Sequence, residues 1–410
     1  MRILVVGAGG VGTAVARTAV RRSFFERCVV ADHDVERAGA AVRAVGDDRF
    51  SAEALDASDA AAVERLVRRE GVTHVLNAVD PRFVMPVFEG TLAADADYLD
   101  MAMSLSRPHP ERPHELPGVK LGDEQFAQAG RWESAGRLAL VGMGVEPGLS
   151  DVLARYAADH LFSSIDELGT RDGANLVVDG HDFAPSFSIW TTIEECLNPP
   201  VVWEADRGWF TLPPFSEPEV FDFPAGIGPV ECVHVEHEEV LLMPRRLQAR
   251  RVTFKYGLGA EFIDVLRTLH KLGLDRTEPV TVRTPAGPAS VSPRDVVAAC
   301  LPDPARLGDR MRGVTCAGVW VTGTGRDGRP REVYLYHAVD NAWSMAEYGS
   351  QCVVWQTAVN PVVALELLAE GAWSGAGVLG PEAFDPVPFL DRLATFGPGW
   401  ELQERTPAPR

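Results

Sequence analysis

The chain has 410 residues, of which 46% are hydrophobic and 24% charged, and its formal net charge at pH 7 is −19. This length exceeds what one hydrophobic core usually serves, so two domains are expected. The acidic balance argues against nonspecific binding to nucleic acid or to an anionic membrane surface, and it is typical of a cytoplasmic enzyme with a small-molecule substrate. We expect no apolar segment of membrane-spanning length. The six scattered cysteines include no CxxC pair, which predicts reduced thiols.

The first predicted elements are a strand, a glycine-rich turn and a helix. Residues 3–6 (Ile-Leu-Val-Val) form a continuous apolar run, typical of a central parallel strand buried on both faces. Glycines in GxGxxG spacing follow, ahead of a helical pattern over 11–22. In a dinucleotide-binding unit, such glycines allow a tight turn, close approach of a pyrophosphate and close helix–strand packing. The residues predicted to contact the cofactor here are Gly7, Gly9, Gly10, Val11 and Gly12.

A second apolar run, "CVVADHD", predicts a strand that ends at Asp32. An acid about 20 residues after the glycines can accept hydrogen bonds from the adenosine ribose hydroxyls. The same carboxylate would repel a 2′-phosphate, and the nearest base is Arg37, so the sequence favours NAD over NADP. The alternative is that Asp32 caps the following helix, although Asp34 could fill that role.

Further strands and helices alternate up to about residue 160, which predicts a Rossmann-type, doubly wound parallel sheet and hence an α/β fold. In "THVLNAV", Asn77 and Ala78 stand at the carboxyl end of a buried strand, where such a sheet binds its cofactor. "DYLDMAM" ends near Asp100, and Glu146 precedes a Pro-Gly turn after the next strand. The Pro- and charge-rich segment 104–123 is either a lid near the site or a tolerated surface insertion.

The pattern then changes to strand-like segments with period-2 alternation, a hairpin turn in "GRDGRP" and two interrupting helices, which predicts an α+β domain with a mixed sheet. The long apolar helix in "VWQTAVNPVVALELLAEG" is expected to return to the first domain. We therefore predict a discontinuous nucleotide-binding domain over 1–145 and 350–410, and a substrate-binding and dimerisation domain over 146–349.

Several short sequence blocks occur in this chain in the same order as in the saccharopine dehydrogenase-like family, which the chain resembles. The blocks include "VVGAGGVG", "HVLNAVDP", "YLDMAM", "VGMGVEPGLSDVLARYAADHL", "FPAGIGPVECVHVEHEEVLLMPR", "VTFKYGLG" and "ELLAEGAWSGAGVLGPEAFDPVPFLDRL". The resemblance implies a homodimeric, nicotinamide-dependent oxidoreductase acting at a carbon–nitrogen bond of an amino-acid-like substrate. Related reductases show Cys-Gly-Leu-Asp-Pro-Gly where this chain has residues 143–148, Met-Gly-Val-Glu-Pro-Gly, so a proton-transfer role of that cysteine does not apply. Many members of the family use NADP, whereas Asp32 favours NAD.

Hydride transfer needs a group that exchanges protons and cationic anchors for substrate carboxylates. Four candidates follow from position: Asp100 and Glu146 at predicted strand ends, His181 in "VVDGHDF", and Lys255 in "VTFKYGLG". The structural alternatives are a helix cap or loop hydrogen bond for Asp100, a residue that shapes the turn for Glu146 and a solvated loop for His181.

No metal site is predicted. His234 and His237 lie in "VHVEHEEV", which predicts a strand, and residues three apart on a strand face opposite sides. Two other functions remain open from the residues alone: oxidation of a C–OH bond in a polar metabolite, and noncatalytic NAD binding.

Overall fold

The computed structural model describes residues 1–406, and its amino-terminal part alternates strands and helices as predicted. The elements of this part are β1 (Arg2–Val6), α1 (Gly10–Ala19), β2 (Arg27–Asp32), α2 (Val35–Val45), β3 (Phe50–Ala54), α3 (Ala60–Glu70), β4 (His74–Asn77), α4 (Val84–Ala93), β5 (Asp97–Asp100), α5 (Asp123–Phe126), α6 (Ala129–Ala135), β6 (Leu138–Leu140) and α7 (Leu149–Tyr156). Between β5 and α5 there is neither helix nor strand, in line with the predicted loop.

The remaining part is richer in strands. Its elements are β7 (Phe162–Ala174), β8 (Val177–Val178), α8 (Ile189–Leu197), β9 (Val201–Glu204), β10 (Gly208–Thr211), β11 (Glu219–Phe223), β12 (Gly228–His234), α9 (Glu239–Leu242), β13 (Ala249–Gly257), α10 (Ala260–Leu272), β14 (Val280–Thr284), β15 (Gly287–Val291), α11 (Pro293–Cys300), β16 (Met311–Arg312), β17 (Val314–Gly325), β18 (Pro330–Asp340), α12 (Asn341–Tyr348), α13 (Cys352–Glu370), β19 (Gly377–Leu379), α14 (Pro386–Leu393) and β20 (Glu401–Arg405).

Seven strands form a parallel sheet in the order β19-β6-β5-β4-β1-β2-β3. The chain moves outward from β1 through β2 and β3, then returns to β4 on the other side of β1. Strand order therefore reverses between β1 and β4, and a doubly wound sheet binds its ligand beyond the carboxyl ends of such a pair. The predicted Rossmann-type sheet is confirmed, and it places the glycine-rich turn at this crevice.

A second, nine-stranded sheet follows the order β10-β9-β13-β7-β17-β18-β20, with β12 paired to β13 and β11 to β12. It is mixed, because β13 and β7 are parallel whereas β17 pairs antiparallel with both β7 and β18. The predicted α+β part is thereby confirmed. Strand β19 joins the parallel sheet, but β20 pairs with β18 of the mixed sheet, which departs from the assignment of all of 350–410 to the first domain. The domain boundaries stay a prediction.

Helix α13 has 19 residues and a window of mean hydropathy 1.5, so it is long and apolar enough to cross a membrane. The expectation that no segment reaches that length is wrong here. In the structure 83% of the window is buried inside the protein, where α13 packs against α1 and α14. A core helix of a soluble protein meets the same criterion, since its apolar residues are covered on all sides.

Candidate active site

A cleft of about 1380 Å³ opens between the glycine-rich turn and the second sheet. The first part of the chain contributes the turn itself and the residues that follow β4 and β5. The second part contributes α8, the segment after β12, and strand β13. The polar and charged residues lining it are Asn77, Asp80, Glu146, Ser188, Thr191, Thr192, Glu195, His237, Glu238, Tyr256, Asp303 and Thr357.

The glycine-rich turn fits a dinucleotide. A Cβ added to Gly12 would lie 1.9 Å from the Gly7 carbonyl oxygen, so only glycine allows helix α1 to pack this closely. Gly7 has φ +104°, a left-handed conformation that favours glycine. At Gly9, by contrast, an added Cβ meets no atom within 4 Å, so the backbone there is open to a ligand. Gly9, Gly10 and Val11 line the cleft, and the N–H groups of the first turn of α1 have no acceptor within the helix.

Asn77 and Ala78 line the cleft at the carboxyl end of β4, as predicted from their position. The Asn77 amide is held in place, because its Nδ2 donates to the Tyr98 hydroxyl at 3.0 Å and its Oδ1 accepts from Val79 N at 3.2 Å. A fixed strand end beside an open glycine turn is where a Rossmann-type sheet holds the nicotinamide half of its cofactor.

The Asp32 carboxylate is buried and already bonded within the protein. Oδ2 accepts from Ala8 N at 2.8 Å, and Oδ1 accepts from Asp34 N at 3.0 Å. Asp34, not Asp32, caps α2, because its side chain accepts from the backbone N–H groups of Glu36 and Arg37. The Nδ1 atom of His33 also lies 3.0 Å from Oδ1. Asp32 therefore fixes the glycine-rich turn against the end of β2, while Oδ2 retains capacity for a ribose hydroxyl.

Glu146 lines the cleft, as its place after a strand suggested, and is half-buried beside a second carboxyl group, that of Asp172. Burial raises its pKa well above the usual value, and hydrogen bonding to Asp172 and the nearby charge of Glu239 raise it further. Burial likewise raises the pKa of Asp172 to about 6, against the lowering effect of the bond from Glu146. The hydrogen bond raises the pKa of Glu146 and lowers the pKa of Asp172, so Glu146 is the donor of the pair.

His237 is surrounded by carboxylates. Its Nδ1 lies 2.5 Å from Glu239 Oε2 and 3.4 Å from Glu238 Oε2. Burial alone would lower the imidazole pKa, but the charges of Glu239, Glu238 and Glu195 raise it to about 10. The ring stacks on Phe254 with centroids 3.9 Å apart. His237 is therefore an oriented cation at neutral pH.

Glu195 reaches the cleft from α8, together with Ser188, Thr191 and Thr192. Their spacing of three to four residues places them on one helical face. Burial raises the pKa of Glu195 to about 8, against the lowering effect of His237. This carboxyl group therefore titrates near neutrality at the wall of the cleft.

The three other predicted catalytic residues do not line the cleft. Asp100 is buried behind its wall, where Oδ1 accepts from Gly142 N and Oδ2 from Gln125 Nε2, both at 2.7 Å, and burial raises its pKa to about 7. Lys255 donates to Glu219 Oε2 at 2.7 Å. His181 lies half-exposed in the loop before α8.

The register of two strands explains why Lys255 faces away. Lys255 is opposite Arg171 and Tyr256 is opposite Asp172 in the parallel pair β13–β7. Because strand side chains alternate, Lys255 and Arg171 share one face of the sheet and Tyr256 and Asp172 the other. Tyr256 lines the cleft, so in "VTFKYGLG" the neighbour of the predicted residue is the one that reaches the site.

The sequence analysis placed His237 in the same strand as His234, and this secondary-structure prediction is wrong. Strand β12 ends at His234, and His237 lies in the bend before α9, so the argument from alternation does not apply to it. The ligand atoms of His237, Glu238 and Glu239 lie within 4.8 Å of one another, a grouping that a metal ion could also use. The close contact of Nδ1 with Glu239 instead fits a shared proton, and the absence of a metal stays a prediction.

The fold and the site define a nicotinamide-dependent oxidoreductase. Residues 3–140 match the saccharopine dehydrogenase NADP binding domain, and residues 144–397 match the saccharopine dehydrogenase C-terminal domain. The chain belongs to the saccharopine dehydrogenase family. The predicted resemblance and the predicted activity class, NAD(P)-dependent oxidoreduction at a carbon–nitrogen bond, are confirmed.

Named relatives match over nearly the full length. The chain is 28% identical to a carboxynorspermidine synthase of Vibrio cholerae, covering 99% of this chain and 98% of that protein. It is also 28% identical to a carboxyaminopropylagmatine dehydrogenase of Synechocystis, covering 100% and 99%. The solved structure of saccharopine dehydrogenase (L-Glu forming) from Saccharomyces cerevisiae covers 99% of this chain and is itself covered completely, with a TM-score of 0.70 at 13% identity. At this level of identity, the similarity to the yeast structure shows a shared fold only.

Proposed function

We propose that this protein catalyses NAD-dependent interconversion of a secondary amine and an imine on a polyamine-like substrate. The bound nicotinamide would supply or accept the hydride at carbon. The protein's own task is to hold the amine, exclude water and exchange the proton at nitrogen.

The observation that carries this proposal is the charge of the cleft. Among the described residues that line it, five carry carboxyl groups (Asp80, Glu146, Glu195, Glu238 and Asp303), whereas His237 is the sole cation and no lysine or arginine contributes. Asp80 pairs with Arg82 and Asp303 with Arg306, neither of which lines this cleft, whereas Glu195 and Glu238 have only the His237 cation near them in the cleft. Such carboxylates are stabilised by a cationic ligand. A substrate with several carboxylates would need more cationic anchors than one imidazolium. The site therefore suits an amine with more than one cationic nitrogen and at most one carboxylate.

The names of the relatives agree with this reading. Carboxynorspermidine and carboxyaminopropylagmatine each name a polyamine-like skeleton with one carboxy group. We accordingly place the protonated nitrogen remote from the reaction near Glu195 and Glu238, and the single carboxylate near His237. The sequence alone indicated only an amino-acid-like substrate. The proposal here is more specific, because it names a polyamine-like amine with a single carboxylate.

For the proton step we propose the Glu146–Asp172 pair as the catalytic acid and base. Glu146 borders the cleft and, as the hydrogen-bond donor of the pair, gives its proton to nitrogen as the imine is reduced. The two carboxylates left behind repel each other, so Glu146 must take up a proton again before the next turnover. In the direction of amine oxidation the same group accepts that proton. The Tyr256 hydroxyl, whose pKa is raised by burial and by Asp172, remains protonated and serves as a donor at the cleft wall.

For the cofactor we propose NAD in preference to NADP. Asp32 places a carboxyl group at the end of β2, where a carboxylate disfavours a 2′-phosphate, and the next residues are His33 and Asp34. The family model that matches this part is named for NADP, so the preference is a property we propose for this chain.

The test is a fluorescence titration with NADH and with NADPH, followed by turnover assays. One set pairs diamines or agmatine with a carboxylated aldehyde and NADH; the other supplies carboxynorspermidine or saccharopine with NAD. We expect NADH to bind more tightly than NADPH. We expect turnover with the diamines or agmatine in the reductive assay and with carboxynorspermidine in the oxidative assay. Preferential turnover of saccharopine would contradict the substrate assignment, tighter NADPH binding would contradict the role of Asp32, and binding of neither cofactor would exclude the enzyme.

A further inference from the structure

A second cleft, of about 900 Å³, adjoins the glycine-rich turn. Three arginines from three elements line it: Arg17 of α1, Arg37 of α2, and Arg306, which lies in the second half of the chain. It is thus cationic, in contrast to the acidic catalytic cleft. A cationic groove that begins at a Rossmann-type glycine turn suits the phosphates of a dinucleotide.

The two clefts are continuous. Gly9, Gly10, Asp303, Ala305 and Val354 line both of them. A single groove therefore runs past the beginning of α2, across the glycine-rich turn and into the catalytic cleft. The short turn Pro304–Arg306 lies at the junction of its two halves.

This short turn rests on the beginning of α1. A Cβ placed on Gly10 would lie 3.1 Å from the Ala305 Cβ. The segment is held from its other end by Asn341, whose Nδ2 donates to the carbonyl oxygens of Gly308 at 2.9 Å and Met311 at 2.6 Å. Its position beside the open backbone of Gly9 is therefore set by the fold.

Arg306 has little to bind within the protein. Its side chain is 87% exposed, and its ion pair with Asp303 has an N···O separation of 3.9 Å. Exposed pairs of this kind contribute little, so the guanidinium is available to a phosphate, which it can bind through two parallel N–H groups. Arg17 differs, because its Nη1 donates to the Gly349 carbonyl oxygen.

We propose that Arg306 binds the pyrophosphate of the nicotinamide cofactor from the second half of the chain, closing the groove opposite the glycine-rich turn. This inference rests on the proposed function. It makes cofactor affinity depend on a residue outside the Rossmann-type sheet. Because NADH and NADPH share the pyrophosphate, the contribution of Arg306 is the same for both.

The experiment compares the full-length protein with Arg306→Gln, titrating NADH and NADPH separately by nicotinamide fluorescence without any amine substrate. Loss of a charge-assisted hydrogen-bonded pair predicts a rise in both dissociation constants of about tenfold, with their ratio unchanged. Arg310→Gln is the matched control: this arginine is exposed, four positions further along the same segment, and lines neither cleft. Asp303→Asn removes a negative charge from the groove and should tighten both cofactors.

The outcomes separate the two proposals. If the unchanged protein binds neither cofactor, the proposed function fails. If it binds and Arg306→Gln binds equally well with an unchanged melting temperature, only the role of Arg306 is overturned. A loss confined to NADPH also overturns it, since Arg306 would then contact the 2′-phosphate.

Discussion

The Nδ1 atom of His237 lies 2.5 Å from Oε2 of Glu239, inside a site where the Glu238 carboxylate is only slightly farther away. Glu239 is completely buried, and its other oxygen accepts from the Ser150 hydroxyl at 3.0 Å. This pair keeps the imidazole charged although the ring is shielded from water. Several consequences of that charge are measurable.

Glu239→Gln should lower the pKa of His237 from about 10 towards its usual range, because the nearest negative charge is removed while burial still opposes protonation. Histidine-selective NMR titration measures the change directly. Glu231→Gln, a substitution at an exposed position, should leave the titration of His237 unchanged. An unaltered His237 pKa in Glu239→Gln would show that Glu238 and Glu195 alone hold the proton.

Glu195 predicts how the affinity for the amine depends on pH. Its pKa is raised to about 8, so the carboxyl group becomes charged as pH rises from 6.5 to 9, while the ammonium group of an amine stays protonated. KM for the amine should fall over that interval, on the order of tenfold, the worth of one charge-assisted contact. Glu195→Gln should abolish the pH dependence and keep KM high. A pH-dependent KM retained in this variant would contradict the assignment.

The same residue predicts the pH dependence of stability. The folded protein holds the Glu195 proton up to about pH 8, whereas an unfolded chain releases it near the ordinary glutamate pKa of 4.5. The folded state therefore binds more protons between these values, and this group makes the free energy of unfolding fall as pH rises through that window. Glu195→Gln should melt higher than the unchanged protein at pH 9 and show little difference at pH 4.5. Calorimetric melts at both pH values measure this.

Lys255 and Tyr256 provide a matched pair of neighbours on opposite faces. Lys255→Met breaks a nearly buried ion pair with Glu219, so we expect a loss of stability of about 1–3 kcal/mol with little change in kcat/KM. Tyr256→Phe removes only a hydroxyl at the cleft, so kcat should fall by about tenfold or more with a nearly unchanged melting temperature. The reverse pattern would place Lys255 in the chemistry after all.

Two glycines of the turn should respond differently to alanine. Gly12→Ala places a Cβ 1.9 Å from the Gly7 carbonyl oxygen, so α1 must move away from the sheet and both stability and cofactor binding are lost. Gly9→Ala meets no protein atom within 4 Å, so the melting temperature should hold while the dissociation constant for NADH rises about tenfold or more. Unchanged NADH binding by Gly9→Ala would mean that the pyrophosphate lies elsewhere.

Local rules were sufficient for the nucleotide-binding part. The run at 3–6, the glycine spacing and the strand end at Asn77 each depend on short-range geometry, and the structure places all of them at one crevice. The acidic cleft could not be predicted in the same way, because Asp172, Glu195 and His237 come from three separate elements and meet only through the register of the second sheet. A signal was present in "VHVEHEEV", whose acids flank a histidine, but its interpretation as a continuous strand concealed it.

Strand β19 has a consequence for how the molecule is made. The ribosome releases β6 early, yet the edge of β6 is covered only when Gly377–Leu379 arrives and pairs with Leu138–Leu140. An amino-terminal nascent fragment thus exposes an unpaired parallel edge throughout synthesis of the entire second sheet. Order of translation and order of assembly therefore diverge in this protein, and the nucleotide-binding sheet is completed only after nearly the whole chain has been released.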